Sequence, residues 1–319
     1  MLTKVDTVIE TMRAPYTVVD DFLPFDVAEA MRLDIDAHFA KYESHRPETH
    51  QVWNYWFVPG LYTYLRTNPE KLIRRDRVEK FMQVLRRWSA DALGLREVTW
   101  PYLSLYVSGC RQNLHNDSEN GRFALVYSLT RDKRMTTGGE TLVLNEGDLF
   151  RNNIVTAQAG TGFFTLIEPR FNRLVAFDDR MPHGVERVEG SMNPVEGRFV
   201  LHGHLRDKGA IVTGALTEEQ VGDVVIEALT SFSAEALSRI RLYHGPVILR
   251  ISIGASGSVR SCAVLLDRVT ATDASDVGWP TMLSNLIAKF TALKFPTADG
   301  ETIVTQPLLM GTSLFRPGH

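Results

Sequence analysis

The chain has 319 residues, 44% of them apolar and 23% charged; Lys plus Arg (35) nearly balances Asp plus Glu (38), for a net charge of −3. This composition excludes disordered and fibrous classes and argues against a chain whose main work is neutralising nucleic-acid phosphates. Two cysteines, Cys110 and Cys262, exclude a disulfide framework and clustered-thiolate metal sites, so any metal must be held by His and carboxylate.

The β-branched and apolar run Tyr16-Thr17-Val18-Val19 predicts a strand and Phe22-Leu23-Pro24 a turn. Val27, Ala30, Met31, Ile35 and His38 then recur at helical spacing. The aromatic segment from Trp53 to Phe57, with Tyr62 and Tyr64, suits core packing and a lid over a site equally well. A second amphipathic helix is expected over residues 70–93, carried by Leu72, Val78, Phe81, Met82, Leu85, Trp88 and Leu93 and stopped by Gly94. Its basic residues Arg74, Arg75, Arg77, Arg86 and Arg87 read as a solvated outer face. From Trp100 to Leu205 short β-like runs dominate, at residues 102–107, 123–129, 141–144, 162–167, 173–177 and 198–205, separated by Gly, Asn, Asp and Pro. Helices followed by many short strands predict an antiparallel sandwich or barrel buttressed by helices.

Asp207-Lys208-Gly209 ends that unit. Thr217 and Gln220 have capping-box spacing at the start of a helix reaching about Leu242. Strands at residues 246–253 and 259–266, a helix at 278–293 and a strand at 302–309 complete a small αββαβ unit. The expected division is therefore residues 1–208 and 215–319, the second a separate small α+β domain. No apolar run approaches the roughly 20 residues that cross a bilayer. Acids interrupt the first fifteen residues where an export signal needs an apolar core. The expected setting is cytoplasmic, with neither membrane nor nucleic acid as partner.

His115-Asn116-Asp117 places an imidazole and a carboxylate two residues apart, on one side of a strand or of its end. With 9 His and 38 acids the pair occurs by chance, so it needs a third ligand. His183, after the turn Asp178-Asp179-Arg180, is the candidate. Two His and one Asp make the facial triad that holds Fe(II) and leaves positions open. Arg198 opens the last strand of this unit, and its guanidinium can grip a carboxylate at two points. His202 and His204 share its strand parity and are expected as a surface pair; Arg122 and Tyr127 are expected to be structural.

From about Tyr16 to Leu205 the chain resembles the Fe(II)/2-oxoglutarate-dependent oxygenases, in particular the prolyl-4-hydroxylase-like branch. The resemblance rests on the opening run Pro15 to Leu23, on Tyr106-x-x-Gly109 followed by His115-x-Asp117, on Gly138-Gly139-Glu140-Thr141, and on His183-Gly184-Val185-x-x-Val188-x-Gly190 followed by Arg198. A longer gap at residues 191–196 and Asn172, where Gly is common, depart from the pattern. The resemblance implies a double-stranded β-helix (jelly-roll, cupin-like) domain, mainly β with flanking helices and with its barrel from about residue 100. It also implies that His115, Asp117 and His183 bind Fe(II) and carry catalysis. Arg198 would pair with the distal carboxylate of 2-oxoglutarate, and Tyr106 would hydrogen-bond to it. O2 is then the second co-substrate, ascorbate a stimulant, and the products are succinate, CO2 and a hydroxylated amino acid, peptide or small metabolite. Asp117 favours hydroxylation, because related halogenases replace that carboxylate with a small residue. Two other readings remain open at this point: desaturation, cyclisation or epoxidation with the same cofactors, and a non-catalytic ligand-binding barrel with the C-terminal domain as interaction module. Residues 245–319 resemble the small C-terminal domain of TonB-type proteins; an exposed strand edge there would suit docking of a partner protein or peptide or a homodimer, and plain stabilisation of the first domain is the equal alternative.

Overall fold

The computed structural model describes residues 16–40, 52–115, 117, 120–131, 135–144, 164–179, 181–206, 209–240, 242–267, 269–271 and 277–310. The expectations for residues 1–15 and for Asp207-Lys208 fall outside the described residues. Strands are β1 (Tyr16–Val19), β2 (Asn54–Val58), β3 (Tyr62–Thr67), β4 (Glu97–Val98), β5 (Tyr102–Tyr106), β6 (Arg111–His115), β7 (Phe123–Ser128), β8 (Thr136–Thr137), β9 (Thr141–Leu144), β10 (Phe164–Ile167), β11 (Leu174–Asp178), β12 (His183–Val185), β13 (Glu189–Gly190) and β14 (Arg198–Arg206). Continuing along the chain are β15 (Ile211–Gly214), β16 (Tyr243–Ile253), β17 (Val259–Asp267), β18 (Thr270–Ala271) and β19 (Thr302–Met310). The helices are α1 (Phe25–Ala40), α2 (Arg75–Leu93), α3 (Glu218–Ile240) and α4 (Trp279–Thr291).

Twelve strands make one curled antiparallel sheet, in the order β1-β11-β7-β14-β5-β3-β6-β12-β9-β10, with β2 added on β3 and β4 on β14. This is a double-stranded β-helix, as the resemblance implied. Central strand β14 is buried along most of its length because both faces are covered. On one face Phe199 meets Arg32 and Phe39 of α1, and Tyr127 of β7 meets Phe81 of α2. The opposite parity, Arg198, Val200, His202 and His204, lines the interior cavity. Alternation along one strand thus separates core from site.

Helix α1 forms on the predicted spacing, but its buried face includes Arg32, only 1% exposed. Arg32 pairs with Asp36 at 2.8 Å and donates to the carbonyls of Leu129 (2.9 Å) and Val195 (2.6 Å). Val195 lies in the lengthened segment before β14, where a 3-10 turn (Pro194–Glu196) is capped by Asn193. The extra residues therefore give the buried guanidinium an acceptor. Helix α2 begins later than predicted, at Arg75, since Pro69–Lys71 makes a separate 3-10 turn and Arg74 is extended. Gly94 ends it in the left-handed conformation, as expected. Arg74, Arg75 and Arg87 are solvated, but Arg77 is not: it pairs with Asp34 of α1 at 2.8 Å and donates to the Ala30 carbonyl, clamping the helices together.

Asn172 has φ 61, so it takes the left-handed conformation that glycine adopts freely. Its amide compensates by accepting from Leu23 N (3.0 Å) and the Tyr127 hydroxyl (2.8 Å) and donating to Leu23 O (2.8 Å). Asn172→Ala keeps the strained φ and orphans these buried groups, a loss of about 2–4 kcal/mol; Asn172→Gly relieves the strain and loses less. Urea unfolding of the two variants checks the order.

A five-stranded sheet, β15-β19-β16-β17 with β18 on β16, forms the second unit. The reciprocal cap opens α3: Gln220 N donates to Thr217 Oγ1 (3.2 Å) and Thr217 N to Gln220 Oε1 (2.9 Å). Strand β15 adds an element that the αββαβ expectation lacked; its short polar-ended run carries little pattern. One sheet face packs on α3 and α4 through Val221, Val225, Phe232, Leu286 and Phe290. The other face reaches α2: Ile248 and Leu266 belong to the first unit's core, Arg250 donates to the Asp91 carbonyl at 2.8 Å, and a Cβ on Gly94 would overlap Thr305 Cγ2 and Ile248 Cγ2. A chain ending at residue 208 is therefore expected to retain the cavity but melt roughly 10 °C lower, because two buried aliphatic side chains against α2 are lost. Differential scanning calorimetry checks this. No helix among the described residues is long and apolar enough to cross a membrane.

Candidate metal centre and its cavity

β6 ends at His115 and β12 begins at His183, and the antiparallel register sets these two residues directly opposite each other. Gly184 permits this approach, since a Cβ there would lie 2.6 Å from the Gln112 carbonyl oxygen. The imidazole centroids are 4.4 Å apart. Asp117 follows β6 and is fixed by its backbone N–H, which donates to Asp179 O at 2.8 Å. His183 Nε2 lies 3.3 Å from Asp117 Oδ2. One ligand atom from each of His115, Asp117 and His183 falls within 4.8 Å of the others.

The hydrogen bonds set the tautomers. His115 Nδ1 contacts the Asn113 carbonyl at 2.8 Å and His183 Nδ1 the Met181 carbonyl at 2.9 Å. A carbonyl only accepts, so each Nδ1 donates, and Nε2 is the nitrogen each ring has left to offer a metal as a lone pair. Burial, with His183 nearby, pushes His115 below its ordinary range. Burial works to raise the Asp117 pKa, but the neighbouring His183 and His115 imidazoles outweigh it and hold the carboxyl below its usual range. Two imidazole nitrogens free of backbone partners and an anionic oxygen converge, a donor set that fits a divalent cation.

The centre lies on the wall of a cavity of about 210 Å³. At its base Arg198 is 1% exposed, opposite Tyr106 in the register of β14 and β5. Its Nη2 donates to Thr141 Oγ1 at 3.1 Å and its Cζ lies 4.8 Å from the Tyr106 ring centroid. Thr141 is delivered by the Gly138-Gly139 turn, where both residues have positive φ. The Tyr106 hydroxyl donates to Gln112 Oε1 at 2.7 Å, and its ring stacks on Tyr64 at 5.1 Å. Burial pushes the Tyr106 pKa up, so the hydroxyl stays a donor. The structure thus brings all five sequence-selected residues, His115, Asp117, His183, Arg198 and Tyr106, to one cavity.

Other expectations change. His202 and His204 are not a surface pair; both line the cavity, because their parity with Arg198 points them inward on a sheet whose far face is closed by helices. His204 Nδ1 lies 3.3 Å from each carboxylate oxygen of buried Asp179, whose pKa burial raises. The aromatic segment is the hairpin β2–β3, and it divides: Tyr64 is core, Trp56 and Tyr62 line the cavity, and Tyr55 stacks on Phe57 outside. Tyr127 is structural, as expected. Sequence reasoning missed Arg66, Gln112 and Asp179; Asp179 carried a signal in its position just before His183, and Arg66 none.

No family model matches the chain, and no curated protein does. The resemblance of the C-terminal residues to TonB-type domains therefore has no support from these comparisons. Among solved structures, the chain is similar to a prolyl-4-hydroxylase from Pseudomonas putida (TM-score 0.44, 17% identity, covering 61% of this chain and 94% of that one). It is also similar to a prolyl hydroxylase from Trichoplax adhaerens in complex with a hypoxia inducible factor oxygen degradation domain peptide fragment (TM-score 0.45, 13% identity, covering 61% and 85%). A third is AviO1 from Streptomyces viridochromogenes Tue57 (TM-score 0.43, 18% identity, covering 61% and 91%).

Proposed function

We propose that this protein is an Fe(II)- and 2-oxoglutarate-dependent oxygenase that hydroxylates an unactivated C–H bond of an amino-acid, peptide or small-metabolite substrate, with release of succinate and CO2. The observation that carries the reading is the convergence of two imidazole nitrogens and the Asp117 carboxylate within 4.8 Å on the wall of a cavity with a buried guanidinium at its base. His115, Asp117 and His183 would hold the metal. When bound, Fe(II) with 2-oxoglutarate supplies O2 activation, with ascorbate keeping the metal reduced. Arg198 binds the distal carboxylate, and the Tyr106 hydroxyl turns its proton from Gln112 Oε1 to that carboxylate. The Asn113 and Met181 carbonyls orient the two imidazoles, and Phe177, whose ring centroid is 4.4 Å from that of His183, keeps water from the ligand side. For residues 215–319 we propose support of α2, since Ile248 and Leu266 complete its core; docking of a partner or of a second copy would use an edge strand of the sheet, β15 or β17.

The test needs no known substrate. Anaerobic protein given Fe(II) and 2-oxoglutarate is expected to develop a visible metal-to-ligand charge-transfer band, and on admission of O2 to form succinate slowly. Absence of the band overturns the reading.

A further inference from the structure

The cavity holds a second guanidinium, Arg66, beside the Arg198 assigned above to the co-substrate. Arg66 of β3 lies between two rings, its Cζ 3.6 Å from the Trp56 centroid and 4.0 Å from that of Tyr102. A guanidinium covered on both faces keeps its edge for hydrogen bonding, and that edge matches the planar fork of a carboxylate. Its polar neighbour is the neutral Tyr64 hydroxyl, whose pKa burial raises. A second observation points to a ligand. His202 Nε2 and Ser104 Oγ are buried without a hydrogen-bond partner among the described residues. Ser104 stands opposite Arg66 in the β3–β5 register, and His202 stands opposite Tyr102, the ring that covers Arg66. Burial, with Arg66 nearby, holds His202 down at about 3, so its ring is neutral. A buried polar nitrogen without a partner is costly, and a ligand atom relieves that cost.

We propose that Arg66 and His202 form a subsite for the carboxylate of the prime substrate, which is therefore a small carboxylic acid, a free amino acid being the class that fits. This rests on the oxygenase reading and on Arg198 taking the co-substrate. The cavity, about 210 Å³ and shared with 2-oxoglutarate, suits a substrate of amino-acid size. The subsite narrows the substrate range, since an interior residue of a peptide has no α-carboxylate and only an Asp or Glu side chain or a C-terminal residue could fill it.

The test titrates the full-length protein, loaded with Mn(II) and saturated with 2-oxoglutarate, with the proteinogenic L-amino acids and with their primary carboxamides. Binding is read from intrinsic tryptophan fluorescence, to which Trp56 contributes, and from the melting temperature. At least one free acid is expected to bind about tenfold or more tightly than its carboxamide, the scale of a charge-assisted hydrogen bond. Arg66→Gln should abolish that preference while the half-saturating 2-oxoglutarate concentration stays within about twofold. Arg66→Lys keeps the charge but not the fork; it is expected to give an intermediate preference and serves if the Gln variant does not fold. A panel in which no acid outbinds its carboxamide overturns the subsite, as does a preference that survives both variants. Weakened 2-oxoglutarate binding in Arg66→Gln overturns it too, by placing Arg66 on the co-substrate. Failure of the oxygenase reading shows separately, as a missing charge-transfer band in the wild type, and the panel is then read on metal-free protein.

Discussion

Replacing His183 by Ala is expected to abolish Fe(II)-dependent succinate formation and to lower metal affinity by about a hundredfold or more, because one of three protein ligands is lost from a site whose binding energy they share. His183 is buried against Phe177, so the Ala variant also leaves a small void. Asp117→Asn removes the charge while keeping the shape and the backbone bond to Asp179, and serves as the second variant. Calorimetric Fe(II) titration under nitrogen, with a melting curve for each variant, separates metal loss from unfolding. Wild-type turnover in His183→Ala would mean that the trio is not a metal site. The pH dependence has a definite sign. Ligation needs neutral imidazoles and an ionised carboxylate, so affinity falls as pH drops. Burial holds His115 below the ordinary imidazole range, so its competition with protons sets in at lower pH than for an exposed histidine.

Arg198→Ala should raise the half-saturating 2-oxoglutarate concentration by two orders of magnitude or more, on the basis that losing one partner of a buried charge pair costs about 3–5 kcal/mol. Fe(II) affinity in the absence of co-substrate should change little, because Arg198 sits at the cavity base beside Thr141 and Tyr106 and not among the ligands. Arg198→Lys retains charge but offers one-point contact and should fall between. Titration of the charge-transfer band reads both variants directly. An unchanged co-substrate requirement would pass the role to Arg66, the other guanidinium on the cavity wall.

Much of the first unit was legible in local pattern. Helices α1 and α2 follow apolar spacing. The runs that became β5, β7, β9, β11 and β14 carry β-branched and aromatic residues between turn formers, and Gly94 stops α2 as its type demands. Strand β6 left no such trace: Arg111-Gln-Asn-Leu-His115 is polar, because its inward residues face a site and its outward ones solvent. The hairpin β2–β3 was visible as an aromatic cluster but not as paired strands, since each residue faces a different environment.

The sequence by itself determined the donor chemistry: two cysteines and a His-x-Asp with a distant His leave an oxygen–nitrogen metal site as the natural reading. It also determined the strand parity that puts Arg198, Val200, His202 and His204 on one face, because the side-chain period of a strand is two whatever its neighbours. Only the tertiary structure decided which way that face points and what it meets. His183 opposes His115 through the β6–β12 register, Arg66 reaches the cavity through β3, and Arg32 is buried by acceptors from two distant segments. These are contacts between residues far apart in the chain. They depend on strand order and on the curl of a twelve-stranded sheet, whose free energy is spread over the whole core rather than written in any local stretch.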